Sequence, residues 1–301
     1  DRFLLKSAVV GGVLVIRCGA YDLVFDPDGV TVYCDSESLQ ADVLVGAFGL
    51  EPTMGEALSR RTGYKSPPCL ETVVTKVHPA GLEPIPGLLE DTIHVFLPSL
   101  RPVEFGALVP KGNHITIIIA GRRVRVQEMR AFLQLPQMRK LLPERYEIKD
   151  YFKGTFPIGP AKRSFGDRYV TVGDAAGLVR PFKGKGIYSA VLTGFRAAGT
   201  ILEVGVSREA FRHFYEECHE LTRDVWYGRF VRILALLLSK CLSFDPVIVM
   251  AKQDADLKRA LYLAVSGHES YRNILLRYLR PKLVGGFLAS MGRHYLGLKE
   301  A

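Results

Sequence analysis

The chain has 301 residues, 48% of them apolar, and a formal net charge of +9. That balance excludes a disordered chain and leaves room for a large buried core, in one complex domain or two closely joined ones. The basic excess favours polyanions or an anionic membrane surface, but no zinc finger, recognition helix or RNP-like aromatic pair accompanies it, so nucleic acid is not an expected partner.

In chain order, residues 1–10 (DRFLLKSAVV) place Phe3, Leu4, Ala8 and Val9 on one helical face, and Gly11-Gly12 follow as a C-terminal stop. Val13 to Arg17 reads as a short strand. A chain that opens inside a helix leads us to expect a missing upstream piece. Tyr21 to Asp42 reads as β structure around an Asp26-Pro27-Asp28-Gly29 turn. The run Val43–Val45 suits a fully buried parallel strand, with Gly46 and Gly49 at its ligand-facing end. From Glu71 to Gly121, four β segments (72–77, 94–97, 104–109 and 115–120) alternate with turns and imply an antiparallel sheet forming one wall of a substrate site. Val126 to Leu142 reads as one or two helices. Tyr169 to Val172 is a buried strand leading to a long helix from Gly186 to Val204, and the remainder is helical with breaks at Pro246, Gly267 and Pro281.

The chemistry concentrates in GDAAGLVRPFKGKGI, Gly173 to Ile187. A buried strand ends at Gly173, where the missing Cβ permits close backbone approach. Asp174 then supplies one carboxylate at the ligand end of a sheet. Ala175, Ala176 and Gly177 leave room for a flat body, and Pro181 stiffens the loop. Gly184, Lys185 and Gly186 open a helix whose free N–H groups favour negative charge, worth about 0.3–1 kcal/mol when exposed. Gly186, Ala190, Gly194 and Ala198 then form a small-residue stripe suited to close packing.

This stretch resembles the second FAD motif of the p-hydroxybenzoate-hydroxylase-type flavoproteins, in particular the geranylgeranyl reductase family, with its G-D-A-A-G-x-x-x-P-x-x-G-x-G-I pattern. ADVLVGAFG (41–49) is similar to the family's A-D-x-V-V-G-A-D-G strand, EFGALVPKGNHITIIIAG (104–121) to its Y-G-W-x-F-P-x-G strand pair, and DRFLL (1–5) to its R-x-x-F-D-x-x-L helix. The resemblance implies an α/β (α+β) flavoprotein: a Rossmann-like, nucleotide-binding FAD domain lacking its first βαβ unit, formed by residues 1–50 and 151–205, an antiparallel substrate sheet over 51–150, and C-terminal helices over 206–301. It implies that Gly173, Asp174, Ala175, Pro181, Gly184, Lys185, Gly186 and Ile187 bind FAD, and that Phe105, Ala107, Pro110 and Phe182 contact substrate. Asp174 would meet the ribityl–pyrophosphate region, and the Pro181–Ile187 loop the isoalloxazine. The chain departs from the pattern at Phe48, where the family has Asp, and at Phe105 and Ala107, where it has Tyr and Trp.

The expected activity is that of an FAD-dependent oxidoreductase reducing double bonds of a prenyl, geranylgeranyl-type isoprenoid lipid. The flavin is the catalytic group, and NAD(P)H or a ferredoxin the electron donor. A flavin-dependent monooxygenase and a truncated, non-catalytic lipid-binding remnant are the alternatives. The seven histidines are scattered and read as structural or surface groups, and the five widely spaced cysteines as reduced packing thiols, so no metal site is expected. The basic C-terminal helices, including FVRILALLLSK (230–240), suit peripheral contact with anionic lipid from a cytoplasmic location. Without the G-x-G-x-x-G turn that holds the pyrophosphate, residues 1–301 alone are expected to hold FAD weakly or not at all, with Val43–Val45 and Val170–Val172 exposed and prone to aggregate.

Overall fold

The computed structural model describes residues 2–81, 88–89, 91–179, 186–241, 244–266 and 268–278. The opening helix α1 (Arg2–Val10) ends where Gly12 takes a left-handed φ of 97°. Strands β1 (Ala20–Asp26), β2 (Gly29–Cys34) and β3 (Ser38–Ala41) then form an antiparallel meander. Asp26 pairs with Gly29 across the expected turn. Residues Val13 to Arg17 form no strand: among the described residues no neighbour pairs with them, and Leu14 is largely exposed.

Strand β4 (Leu44–Gly46) leads into α2 (Pro52–Thr62). The Glu51 carboxylate accepts from the Thr53 and Met54 amides at the start of that helix, and Gly63 closes it at a φ of 71°. Further along come β5 (Cys69–Pro79), β6 (His94–Phe96), β7 (Val103–Pro110) and β8 (Ile115–Gly121), then α3 (Val126–Leu133), α4 (Pro136–Arg139) and β9 (Tyr146–Pro157). The five strands make one antiparallel sheet in the order β6-β7-β8-β5-β9. Val73, Val77, Leu108, Ile117 and Ile119 pack one face of it against Met129 and Phe132 of α3. The other face carries Phe105, Ala107, Ile118 and Val74.

Strands β10 (Phe165–Gly166) and β11 (Tyr169–Thr171) complete a small sheet in which β11 runs parallel to β4. Val170 and Val172 are buried beneath α5 (Gly186–Glu203) and α6 (Arg208–Glu217), so their expected exposure is wrong. β4 is parallel as expected, but Val43 and Leu44 are half-buried and Val45 is exposed, so it is not fully buried. The buried stripe of α5 is Ser189, Thr193, Ala197 and Thr200, not the glycine and alanine stripe. Its apolar side points outward, with Ile187 84%, Phe195 79% and Leu202 84% exposed.

The remaining described helices are α7 (His219–Cys241), α8 (Asp245–Gln253), α9 (Ala255–Ser266) and α10 (Tyr271–Tyr278). Pro246 falls in the first turn of α8, where its missing N–H costs no helical bond. The breaks expected at Gly267 and Pro281 lie outside the described residues, as do Arg280, Lys282, Arg293 and Lys299 of the basic C-terminal stretch. Among the described residues no single helix is long and apolar enough to cross a membrane. Helix α7 is clamped to the five-stranded sheet at one end. Arg232 grips the buried Glu104 carboxylate with two hydrogen bonds, and Lys240 donates to the carbonyls of Pro98, Leu100 and Val103.

Candidate functional site

The strand β11 delivers the chain to a short 3-10 turn, Gly173–Ala175. Gly173 has a φ of 60° and Gly177 a φ of 64°, both in the left-handed region that favours glycine. At Gly177 a Cβ would also lie 2.3 Å from the Gly159 carbonyl oxygen, so the site itself requires glycine. Two buried side chains fix this turn from outside its own sequence. The hydroxyl of Tyr64 donates to the Ala175 carbonyl at 2.7 Å, and the Gly173 amide donates to Thr193 Oγ1 on α5 at 3.0 Å.

Asp174 is half-buried, and burial pushes its carboxyl pKa above the usual aspartate range. One carboxylate oxygen lies 3.6 Å from the position a Cβ on Gly186 would occupy, which puts the carboxylate beside the first residue of α5. Burial first, and then the Asp174 charge, push up the thiol pKa of Cys69, the first residue of β5. A carboxylate held at a desolvation cost beside a helix start is an arrangement that recurs at functional sites as well as in structural ion networks.

The structure therefore brings together Gly173, Asp174, Ala175 and Gly186. Ile187 follows on α5 with its side chain largely exposed. Pro181, Phe182, Gly184 and Lys185 lie outside the described residues. On the sheet, Phe105 and Ala107 share the face away from α3, because Gly106 and Leu108 face Phe132 and its neighbours. Pro110, at even spacing from Leu108, falls on the α3 side at the end of β7. Phe105 packs against Phe156 of β9, with ring centroids 6.3 Å apart. Phe48 turns inward and packs edge-on against Tyr64 at 5.8 Å, so the position is part of the core.

The described residues fit one end of FAD: a carboxylate for ribityl hydroxyls, glycines that admit a close approach, and a helix start beside them. Tyr64 and Thr193 were not found by sequence reasoning. They sit 111 and 20 residues from their partners, and no local motif announces either. The described residues hold no group of three metal-ligating side chains.

No family model matches the chain. A digeranylgeranylglycerophospholipid reductase of Methanococcus vannielii is 25% identical over 223 residues, covering 70% of this chain and 55% of that protein. The chain thus spans about half the length of that curated relative. Among solved structures, a geranylgeranyl bacteriochlorophyll reductase-like protein of Thermoplasma acidophilum matches with a TM-score of 0.68 at 15% identity, covering 96% of this chain and 74% of that one. A halogenase solved in complex with FAD matches with a TM-score of 0.58 at 16% identity, covering 97% of this chain and 66% of that one. These two structures share the fold.

Proposed function

We propose that this chain, which belongs with the geranylgeranyl reductase family of FAD-dependent oxidoreductases, holds the ribityl and isoalloxazine end of FAD at Asp174 and presents a prenyl lipid to it along the five-stranded sheet. The observation that carries this reading is the half-buried Asp174 carboxylate, set at a strand end beside the start of α5. When bound, FAD supplies hydride or electron transfer to a carbon–carbon double bond.

The residues of the chain bind and orient. Asp174 accepts hydrogen bonds from sugar-like hydroxyls. The start of α5 favours the negative charge of a reduced ring. Gly173 and Gly177 let the backbone approach the cofactor. Phe105, Phe156 and Ala107 offer an apolar face that excludes water from the lipid. Contact with NAD(P)H or a ferredoxin as reductant, and peripheral contact with an anionic membrane, belong to the same proposal.

The test is anaerobic incubation of the FAD-loaded protein with dithionite and a geranylgeranyl lipid, followed by mass spectrometry. A gain of one H2 per reduced double bond, lost in Asp174→Asn together with the flavin, is the expected result. An unchanged lipid with flavin fully bound would contradict the reductase reading.

A further inference from the structure

Cys18 and Cys34 are too far apart in the chain for any C-x-x-C spacing, yet the fold brings them together. Cys18 follows residues 13–17, the stretch after α1 that forms no strand, and Cys34 is the last residue of β2. The first hairpin sets them side by side. Ala20 opposes Cys34 in the β1–β2 register, and the Asp35 amide donates to the Gly19 carbonyl at 3.0 Å, which carries the pairing one residue further. Cys18 lies two residues before Ala20, so its side chain falls on the same face as that of Cys34, as its diagonal cross-strand neighbour. The two thiols share a hydrogen bond. Sulfurs already in contact reach the about 2.05 Å of a disulfide by rotation of their side chains.

Burial and charge make the two thiols unequal. Cys34 is buried and Cys18 is partly exposed. The hydrogen bond to Cys18 comes first and burial second in pushing the Cys34 thiol up to about 11, and the charges of Cys18, Glu37 and Asp35 add to them. The Asp35 carboxylate lies against the join, one oxygen 2.5 Å from where a Cβ on Gly19 would sit. A reagent from solution therefore meets Cys18 first, while Cys34 waits behind it as a protonated thiol.

We propose that Cys18 and Cys34 form a reversible dithiol–disulfide site which, when oxidised, fastens the stretch after α1 to the first hairpin. The oxidant is a low-molecular-weight disulfide. The Cys18 thiolate attacks one of its sulfurs, forms a mixed disulfide and releases one thiolate. The Cys34 sulfur then attacks Cys18 Sγ, which closes the Cys18–Cys34 bond and releases the second thiolate. Two electrons pass from the pair to the reagent, and the two thiol protons end on the two released thiols. In the mixed disulfide Cys18 carries no charge, so it no longer opposes ionisation of Cys34 in the second step. The site lies on the meander and not on the turn that carries Asp174, so it is independent of the flavin reading.

The experiment exposes the reduced 301-residue chain to oxidised glutathione, blocks the remaining thiols by alkylation and maps the peptides by mass spectrometry, with thermal melting in parallel. The expected product is an intramolecular Cys18–Cys34 disulfide that dithiothreitol reverses. Its melting midpoint should rise by at least ~3 °C, because the closed loop restricts the unfolded chain. Cys34→Ser should trap glutathione on Cys18, and Cys18→Ser should leave Cys34 free for alkylation only after unfolding. Three results would each overturn the proposal. One is Cys18 and Cys34 both remaining alkylatable under conditions that modify the exposed Cys69. Another is a cross-link that forms only in urea. The third is an oxidised protein that melts no higher than the reduced one. No flavin takes part, so failure here leaves FAD binding at Asp174 untouched, and failure of FAD binding leaves this site untouched.

Discussion

Tyr64, on the segment after α2, donates its hydroxyl to the carbonyl of Ala175 at 2.7 Å, and both residues are buried. With the Gly173–Thr193 bond, this hydrogen bond fixes the turn that carries Asp174. In Tyr64→Phe the Ala175 carbonyl loses its partner inside the protein. We expect a loss of about 1–3 kcal/mol in urea unfolding and weaker flavin retention. A variant as stable as the parent would show that the bond does not hold the turn.

Asp174 gives a pH signature. Burial raises its carboxyl pKa above the ordinary aspartate range, so the folded chain binds this proton more readily than the unfolded one. The associated stability is fully present below the unfolded pKa and is lost as pH rises through the folded one. At neutral pH the ionised carboxylate is a net cost. Asp174→Asn should therefore melt at a higher temperature than the parent at pH 7, by a margin that shrinks below pH 4, while its flavin affinity falls. A lower melting temperature at pH 7 would mean that Asp174 is a structural group.

Glu104 and Arg232 form a buried, two-pronged ion pair between β7 and α7, at 2.7 and 2.5 Å. Removing either partner leaves a buried charge alone, at a cost of about 3–5 kcal/mol. Glu104→Leu and Arg232→Met should each destabilise by that order, and the double variant should regain much of the loss. Additive losses in the double-mutant cycle would contradict a direct pair.

The apolar side of α5 should govern association in solution. Ile187, Phe195 and Leu202 are each more than three-quarters exposed, and such residues on one helix face promote association. Phe195→Ser/Leu202→Ser should raise the concentration at which light scattering detects aggregates. No change would locate the association surface elsewhere, for example on α1.

Much of this was legible in the sequence because the signals are local. The Gly173–Gly177 turn follows from its glycines and one acid. β5, β7 and β8 follow from alternation, and α5 from its long run of helix formers. β9 was missed because YEIKDYFKGTFP is an edge strand with several exposed residues, so its apolar period is interrupted. Val13–Arg17 has strand-forming residues but no pairing neighbour, and pairing is not a property of the segment itself. The Tyr64–Ala175 bond and the Cys18–Cys34 contact depend on how separate stretches pair, which no single stretch encodes. The stripe on α5 was assigned to the wrong side because small residues can line an exposed face as readily as a packed one.

FAD titration of the chain, followed by quenching of flavin fluorescence and run side by side with Asp174→Asn, bears most directly on the proposed site. We expect saturable binding by the parent, weak because the described residues meet one end of FAD, and at least tenfold weaker binding by the variant, about 1.4 kcal/mol. Equal affinity in the two proteins, or no flavin binding to the parent at millimolar concentration, would contradict the placement of the cofactor at Asp174.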